Sequence, residues 1–454
     1  MRLLPIAFLL FTGCPADKAD DTSATDTDAD TDADTDSDTD ADTDTDTDTD
    51  IPEADCVEEN GACVLTGTYT ESMRLTADKA WLLRSAVLIG DDGASAPTLK
   101  IEPGTTIYGE GATNGFLVIT RGAKIDAQGT ASAPITFTAD IAPGGRARGN
   151  WGGVVVSGKA PINACEVDAG CEAEGEGGTG LYGGDDPADD SGTLKYVVIQ
   201  FSGTEISTDN EINGLTLQGV GSGTTVDYIQ VHRNLDDGIE LFGGTVDLKH
   251  LVLSEEGDDF LDWSMGYSGR IQHVLIVQAD DAGNHPLELD NSEDDYAATP
   301  LTGGIVSNVT IVGSTAIAED NFGILARRGT GGQFWNFAVT DMSAGCLAIR
   351  DAESYARFDA GSLALAYTAF ACDTSFEDGD DDGAYSEDAV FAAGTGNMEV
   401  DDLKIGADYQ PESGSPLLGA GMNPSDPFFD SADYIGAFDG TNDWTAGWTD
   451  WSAN

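Results

Sequence analysis

The sequence predicts an all-β fold: a single parallel β-helix (solenoid) behind a disordered Asp/Thr-rich stalk. Three observations predict it. A six-residue apolar pattern recurs along most of the chain, a second short apolar strand recurs within each repeat, and no helical periodicity lies between them.

The pattern reads apolar, any, polar or aromatic, apolar, any, apolar. It begins at Leu194, Val226, Leu248, Ile271, Val306 and Phe334, with a weaker copy at Leu365. Its third position holds Tyr196, Tyr228, His250, His273, Asn308, Asn336 and Tyr367. The copies lie 22 to 35 residues apart. Roughly 22 residues suits one coil of a parallel β-helix, and longer coils carry loops. Alternating strands and helices would need a helical pattern between the strands, and a propeller a steadier period of about 40 residues. The second strand reads Leu215-Thr216-Leu217, Ile239-Glu240-Leu241, Leu261-Asp262-Trp263 and Leu287-Glu288-Leu289. Gly beside most of these supplies the corners.

Residues 1–13 read as a signal peptide. Arg2 is followed by an apolar stretch, Leu3 to Phe11, too short to span a bilayer. Phe11-Thr12-Gly13-Cys14 resembles a bacterial lipobox, which implies lipid on Cys14 and a membrane anchor. The alternative is an ordinary cleaved signal with Cys14 discarded. Residues 14–51 form the linker, where Asp at alternate positions repels its neighbours and prevents collapse. The β-helix domain is assigned to 52–454, with a C-terminal cap from about 405.

The formal net charge is −62 over 454 residues. Residues 1–50 hold 16 acids and 2 bases, so the remainder keeps a charge of −48. Such a chain repels nucleic acid. It suits cations, basic partners or a salty medium, or keeps the surface soluble. Six cysteines remain beyond Cys14, in close pairs: Cys56 with Cys63, Cys165 with Cys171, and Cys346 with Cys372. In an exported chain these local pairs are the simplest disulfides.

"LKIEPGTTIYGEG", "FLVITRGAKIDAQGTASAPITFTAD" and "WGGVVVSGKAPIN" resemble the early coils of secreted bacterial right-handed parallel β-helices. "DDGIELFGGTV", "SGSPLLGAG" and "DYIGAFDGTNDWTAGW" extend the resemblance over most of residues 95–450. The similarity is to surface and lipoprotein β-helices of the pectin-lyase-like superfamily, and it implies a right-handed solenoid.

In the second strand the apolar residues alternate with one outward position, Thr216, Glu240, Asp262 and Glu288 in successive coils. Parallel strands stack about 4.8 Å apart. The last three should therefore form a vertical acidic column. Asp236-Asp237, Asp258-Asp259 and Asp280-Asp281 should stack beside it at the corners. Carboxylates about 5 Å apart repel by about 1 to 3 kcal/mol in surface-like dielectrics. A hard cation such as Ca²⁺ would offset this, as would pairing with Arg327 and Arg328 beside Asp290, or raised pKa values. The candidate metal ligands are Asp236, Asp237, Glu240, Asp258, Asp259, Asp262, Glu288 and Asp290.

The resemblance also implies an enzymatic alternative, a calcium-dependent polysaccharide lyase or a glycoside hydrolase, with Glu288, Arg327 and Arg328 as candidate catalytic residues. Gly257-Asp258-Asp259 matches one polygalacturonase stretch. The Gly-His-Gly and Arg-Ile-Lys stretches of those hydrolases are missing, and "GNHP" around His285 is a poor substitute. His250 and His273 share the repeat position of Tyr196 and Tyr228, which favours a structural stack over general-base chemistry. His232 and His285 carry no assigned role. Trp444, Trp448 and Trp451 are expected to cover the last open coil; a sugar-stacking platform is the alternative. The favoured reading is a monomeric, lipid-anchored protein of the outer membrane or cell surface. It would bind an extracellular polysaccharide or surface protein with the help of calcium, touching the membrane through its anchor alone.

Overall fold

The computed structural model describes residues 51–165, 171–207, 210–317, 320–377 and 386–452. The signal peptide, Cys14 and nearly all of the linker lie outside them. The described chain is a right-handed parallel β-helix whose coils build three ladders. In the main sheet every pairing is parallel except the opening hairpin, where Val57–Glu59 runs against Ala62–Val64.

The recurring pattern occupies the strands Gly192–Gln200, Thr225–His232, Asp247–Ser254, Arg270–Val277, Ile305–Val312 and Gly332–Thr340. Each is two strands joined by a bend. The first half of Gly192–Gln200 pairs with Lys124–Gln128, and its second half with Ile135–Ala139. The third pattern position is the bend itself. Tyr196, Tyr228, His250, His273, Asn308, Asn336 and Tyr367 all adopt φ between 51° and 63°. Asn tolerates this left-handed geometry, but an aromatic residue there costs about 1–2 kcal/mol. Stacking offsets a comparable amount, about 0.5–1.5 kcal/mol per ring pair. Ring centroids lie 4.3 Å apart for Tyr196 and Tyr228, 4.2 Å for Tyr228 and His250, and 4.9 Å for His250 and His273. His250 Nδ1 donates to Asp227 at 2.8 Å. Burial and the neighbouring His250 push the His273 pKa down to about 3, so it stays neutral in the stack.

The second recurring strand forms the third ladder: Val154–Ser157, Leu215–Gln218, Ile239–Phe242, Leu261–Ser264, Leu287–Leu289, Phe322–Ala326 and Gly345–Ile349. Gly243-Gly244 shows why its exit needs glycine. Both have positive φ, and a Cβ on Gly244 would lie 2.4 Å from the Val220 carbonyl oxygen. Inside the coils, apolar side chains stack rung upon rung with the buried rings of Trp81, Trp151, Trp263 and Tyr267. The three predicted disulfides are present.

The C-terminal segment departs from expectation. It does not close the last coil but runs back along the outer side of the first two ladders. Asn336 exchanges hydrogen bonds with Met422 (3.1 and 2.9 Å), Gln272 with Asp430 (2.9 and 2.7 Å), and Gln230 with Asp450 (3.0 and 2.7 Å). Trp448 stands edge-on against Tyr196 and Tyr228, and Trp444 against His250. The physical reason is the apolar outer face left by Val198, Val252 and Leu275, which Ala437, Phe438 and Trp448 cover. At the final coil it is the helix Glu387–Ala393 that packs, through Phe391 on Phe370 at 4.6 Å.

Candidate functional site: an acidic face on the third ladder

The third ladder keeps its register through the acidic region. Thr216 pairs with Glu240, Glu240 with Asp262, and Asp262 with Glu288. Val155 precedes this outward column, and Leu325 and Ala348 follow it. The acids are therefore a patch bounded by apolar or neutral rungs at both ends.

The corner before this ladder has its own logic. The side chain of each coil accepts the backbone N–H of the next. Asn213 Oδ1 accepts from Asp237 N at 3.1 Å, Asp237 Oδ1 from Asp259 N at 3.0 Å, and Asp259 Oδ1 from His285 N at 2.5 Å. His285 Nδ1 then accepts from Phe322 N at 3.2 Å. Burial pushes the His285 pKa down to about 4, so its neutral ring can accept at Nδ1 and carries its proton on Nε2, 3.9 Å from Glu288. His285, which had no assigned role, is thus a rung of this corner ladder. The Gly-Asp-Asp stretch has a structural cause too: a Cβ on Gly257 would lie 2.0 Å from the Leu235 carbonyl oxygen.

Asp280 and Asp281 do not join the stack. Insertion shifts the corner of their coil to Asn284-His285. Asp281 instead pairs with Arg148 at 3.1 Å, and Asp280 accepts from Ser314 Oγ at 2.7 Å.

The other acids converge. In Asp236/Asp237/Asp258, in Asp237/Glu240/Asp262 and in Asp259/Asp262/Glu288, one oxygen from each residue lies within 4.8 Å of the others. Asp237 and Asp262 are the shared members. Asp290 stands apart from these groups in an arginine clamp. Arg327 Nε donates to Asp290 at 2.9 Å, Arg328 Nη1 donates to it at 2.7 Å, and Arg327 also pairs with Glu288. A cleft of about 270 Å³ is lined by Glu176, Glu240, Asp262, Glu288, Asp290, Arg327 and Arg328. Glu176 arrives on an inserted hairpin, Ala173–Gly175 with Gly180–Tyr182, and sequence reasoning missed it. Asn213 was missed as well, although it holds the same position before Leu215 that Asp237 holds before Ile239.

Crowding and burial work against ionisation. Burial first, then neighbouring carboxylates, push Asp237, Glu240, Asp259 and Asp262 well above the usual carboxylate range. Asp236 and Glu176 are pushed up to about 7 for the same reasons. Asp290 reaches only about 6, because Arg328 opposes its burial. Arg327, desolvated beside Arg328, is shifted down. The carboxyl groups here need either protons or a cation.

The family model for the pectate-lyase-like beta helix domain matches residues 67–449. The chain belongs to this family. No curated protein and no solved structure matches it. Family membership points to a carbohydrate-related role. The donor set fits a hard cation. The convergent atoms are carboxylate oxygens, and Asp262 Oδ1 is buried without a hydrogen-bond partner.

Proposed function

We propose that this protein binds an extracellular acidic polysaccharide along the third ladder, with calcium held by Asp237, Glu240, Asp262 and the adjoining acids. The observation that carries this reading is the set of three overlapping carboxylate groups beside the Arg327–Arg328 clamp. Calcium would supply positive charge without demanding rigid geometry. Arg327 and Arg328 line the same cleft, and their positive charge favours a sugar carboxylate beside them. Binding to polygalacturonate should require millimolar calcium, vanish with chelator, and weaken about tenfold or more in Glu240→Gln/Asp262→Asn. Equal binding with and without calcium would sink the proposal.

A second reading, cleavage of that polymer, is supported by the raised carboxyls, since a protonated acid can protonate a leaving oxygen. Arg327 as a base is disfavoured by its pairing with Glu288 and Asp290. New reducing ends or unsaturated products, lost in Glu240→Gln, would favour this second reading.

The envelope location belongs to the same proposal and is supported by the lipobox-like stretch at Cys14. Cys14→Ser should move the protein from the membrane fraction to the soluble fraction. An unchanged distribution would remove the lipid anchor from the proposal.

A further inference from the structure

The acidic cleft is shut at both ends of its ladder. Val118, Val155 and Thr216 hold the outward position in the rungs before Glu240, yet all three are buried. Ile212, at the end of the strand Asn210–Ile212, packs on Val118 and Val155. The turn of the inserted hairpin, Glu176–Gly178, lies over this rung. A Cβ on Gly177 would collide with Ile212 Cδ1, and one on Gly175 would lie 2.5 Å from Gln218 Oε1. Glu176 thus faces the cleft from the wall that covers the preceding rung. At the other end the outward residues Leu325 and Ala348 are fully buried, and Arg327 and Arg328 reach back to Glu288 and Asp290. One side is shut as well. Where the third ladder ends at Ser264-Met265, two loops meet and hold each other. Asn163 N donates to Met265 O at 2.8 Å, and its Nδ2 donates to Asn291 Oδ1 and Pro300 O, both at 3.0 Å. Asn291 Oδ1 also accepts from Thr302 N at 2.8 Å. The remaining side is the corner, where Asp258 is exposed and Asp236 half-buried, and Asp237 joins them to Glu240 and Asp262.

We propose that this cleft takes the end of an acidic saccharide chain and not the interior of a long one. The inference rests on the calcium-dependent binding proposed above and narrows its ligand. From Glu240 to Glu288 is two rung spacings, about 10 Å, which suits a short saccharide. The cleft volume of about 270 Å³ falls just under the usual range of ligand sites, about 300–1,000 Å³. The interior of a polymer must enter a site and leave it again. The wall over Thr216, the buried rung at Leu325 and the junction at Asn163 leave the chain one way in, past the corner acids. A terminal unit meets no such conflict, because it can stop inside.

Light scattering after size-exclusion chromatography counts the proteins carried by each saccharide chain, and a titration gives the affinity per chain. Trigalacturonate and long polygalacturonate, each in millimolar calcium, are the probes. Each chain should carry one protein, and the two dissociation constants, expressed per chain, should agree within about tenfold. Several proteins on one long chain, or an affinity per chain that changes with length by more than this, overturns the inference and leaves the calcium reading in place. Binding of neither probe overturns both.

Discussion

Replacing Trp448 by Ala should lower stability by about 3–5 kcal/mol, the usual cost of deleting a large buried aromatic side chain. Trp448 is 2% exposed, and it covers the ring stack of Tyr196 and Tyr228 through edge-on contacts at 5.9 and 5.8 Å. Its indole N–H also donates to the Trp444 carbonyl at 2.8 Å, which ties together two turns of the returning segment. The loss should spread along that segment, because Gln230, Gln272, Asn308 and Asn336 hold it to four coils. In a solenoid each coil contacts only its neighbours, so a lateral segment crossing several coils couples them. Trp448→Phe should recover part of the loss, since a smaller ring still covers the stack. Urea unfolding with hydrogen exchange over residues 405–452 measures both effects. An unchanged midpoint with unchanged exchange would show that this contact contributes nothing.

The second large effect is a stability that depends on pH and calcium together. Glu176 and Asp236 have pKa values near 7 in the folded protein, against ordinary values of 4.5 and 3.8. The folded state therefore binds more protons than the unfolded one across this interval. The resulting stabilisation is complete below about pH 4 and is lost as pH rises through about 7. Asp237, Glu240, Asp259 and Asp262 shift the same way and extend the loss upward. Glu256 adds a structural share. It is fully buried, accepts from Asn234 N and Ser254 N at 2.7 and 2.9 Å, and has its pKa raised to about 8 by burial. In chelator the unfolding free energy should fall between about pH 5 and pH 8 by an amount on the order of a few kcal/mol, read as a lower melting midpoint. Calcium should restore it at the upper pH, by about 2.7 kcal/mol at a hundredfold excess over Kd, and should do little at the lower pH, where protons occupy the oxygens. Asp262→Asn should abolish the calcium response, because Asp262 belongs to two of the three carboxylate groups. A midpoint indifferent to both calcium and pH would leave these acids as plain solvated surface.

Much of the architecture was legible in the residues because a β-helix writes its period locally. Leu194, Val226 and Leu248 point inward at the same pattern position, so the register of Glu240 over Asp262 over Glu288 could be counted from neighbouring strands. The third pattern position looked variable, with Tyr, His and Asn. All of these occupy one left-handed bend, where stacking and hydrogen bonding matter more than side-chain identity. The corner ladder was half legible. Asp237 and Asp259 were counted as acids, but the hydrogen bonds they accept from the next coil are a backbone matter.

The sequence by itself determined the coil, its three predicted disulfides and the vertical alignment of the acids, because strand period and rung spacing tie neighbouring residues to neighbouring positions. Tertiary structure alone decided that Asp280 and Asp281 leave the stack, that Glu176 enters the cleft, and that the C-terminal residues lie along the side of the solenoid. Those outcomes depend on where loops of irregular length return and which exposed apolar face they cover. Such contacts span tens to hundreds of residues, and no local periodicity records them.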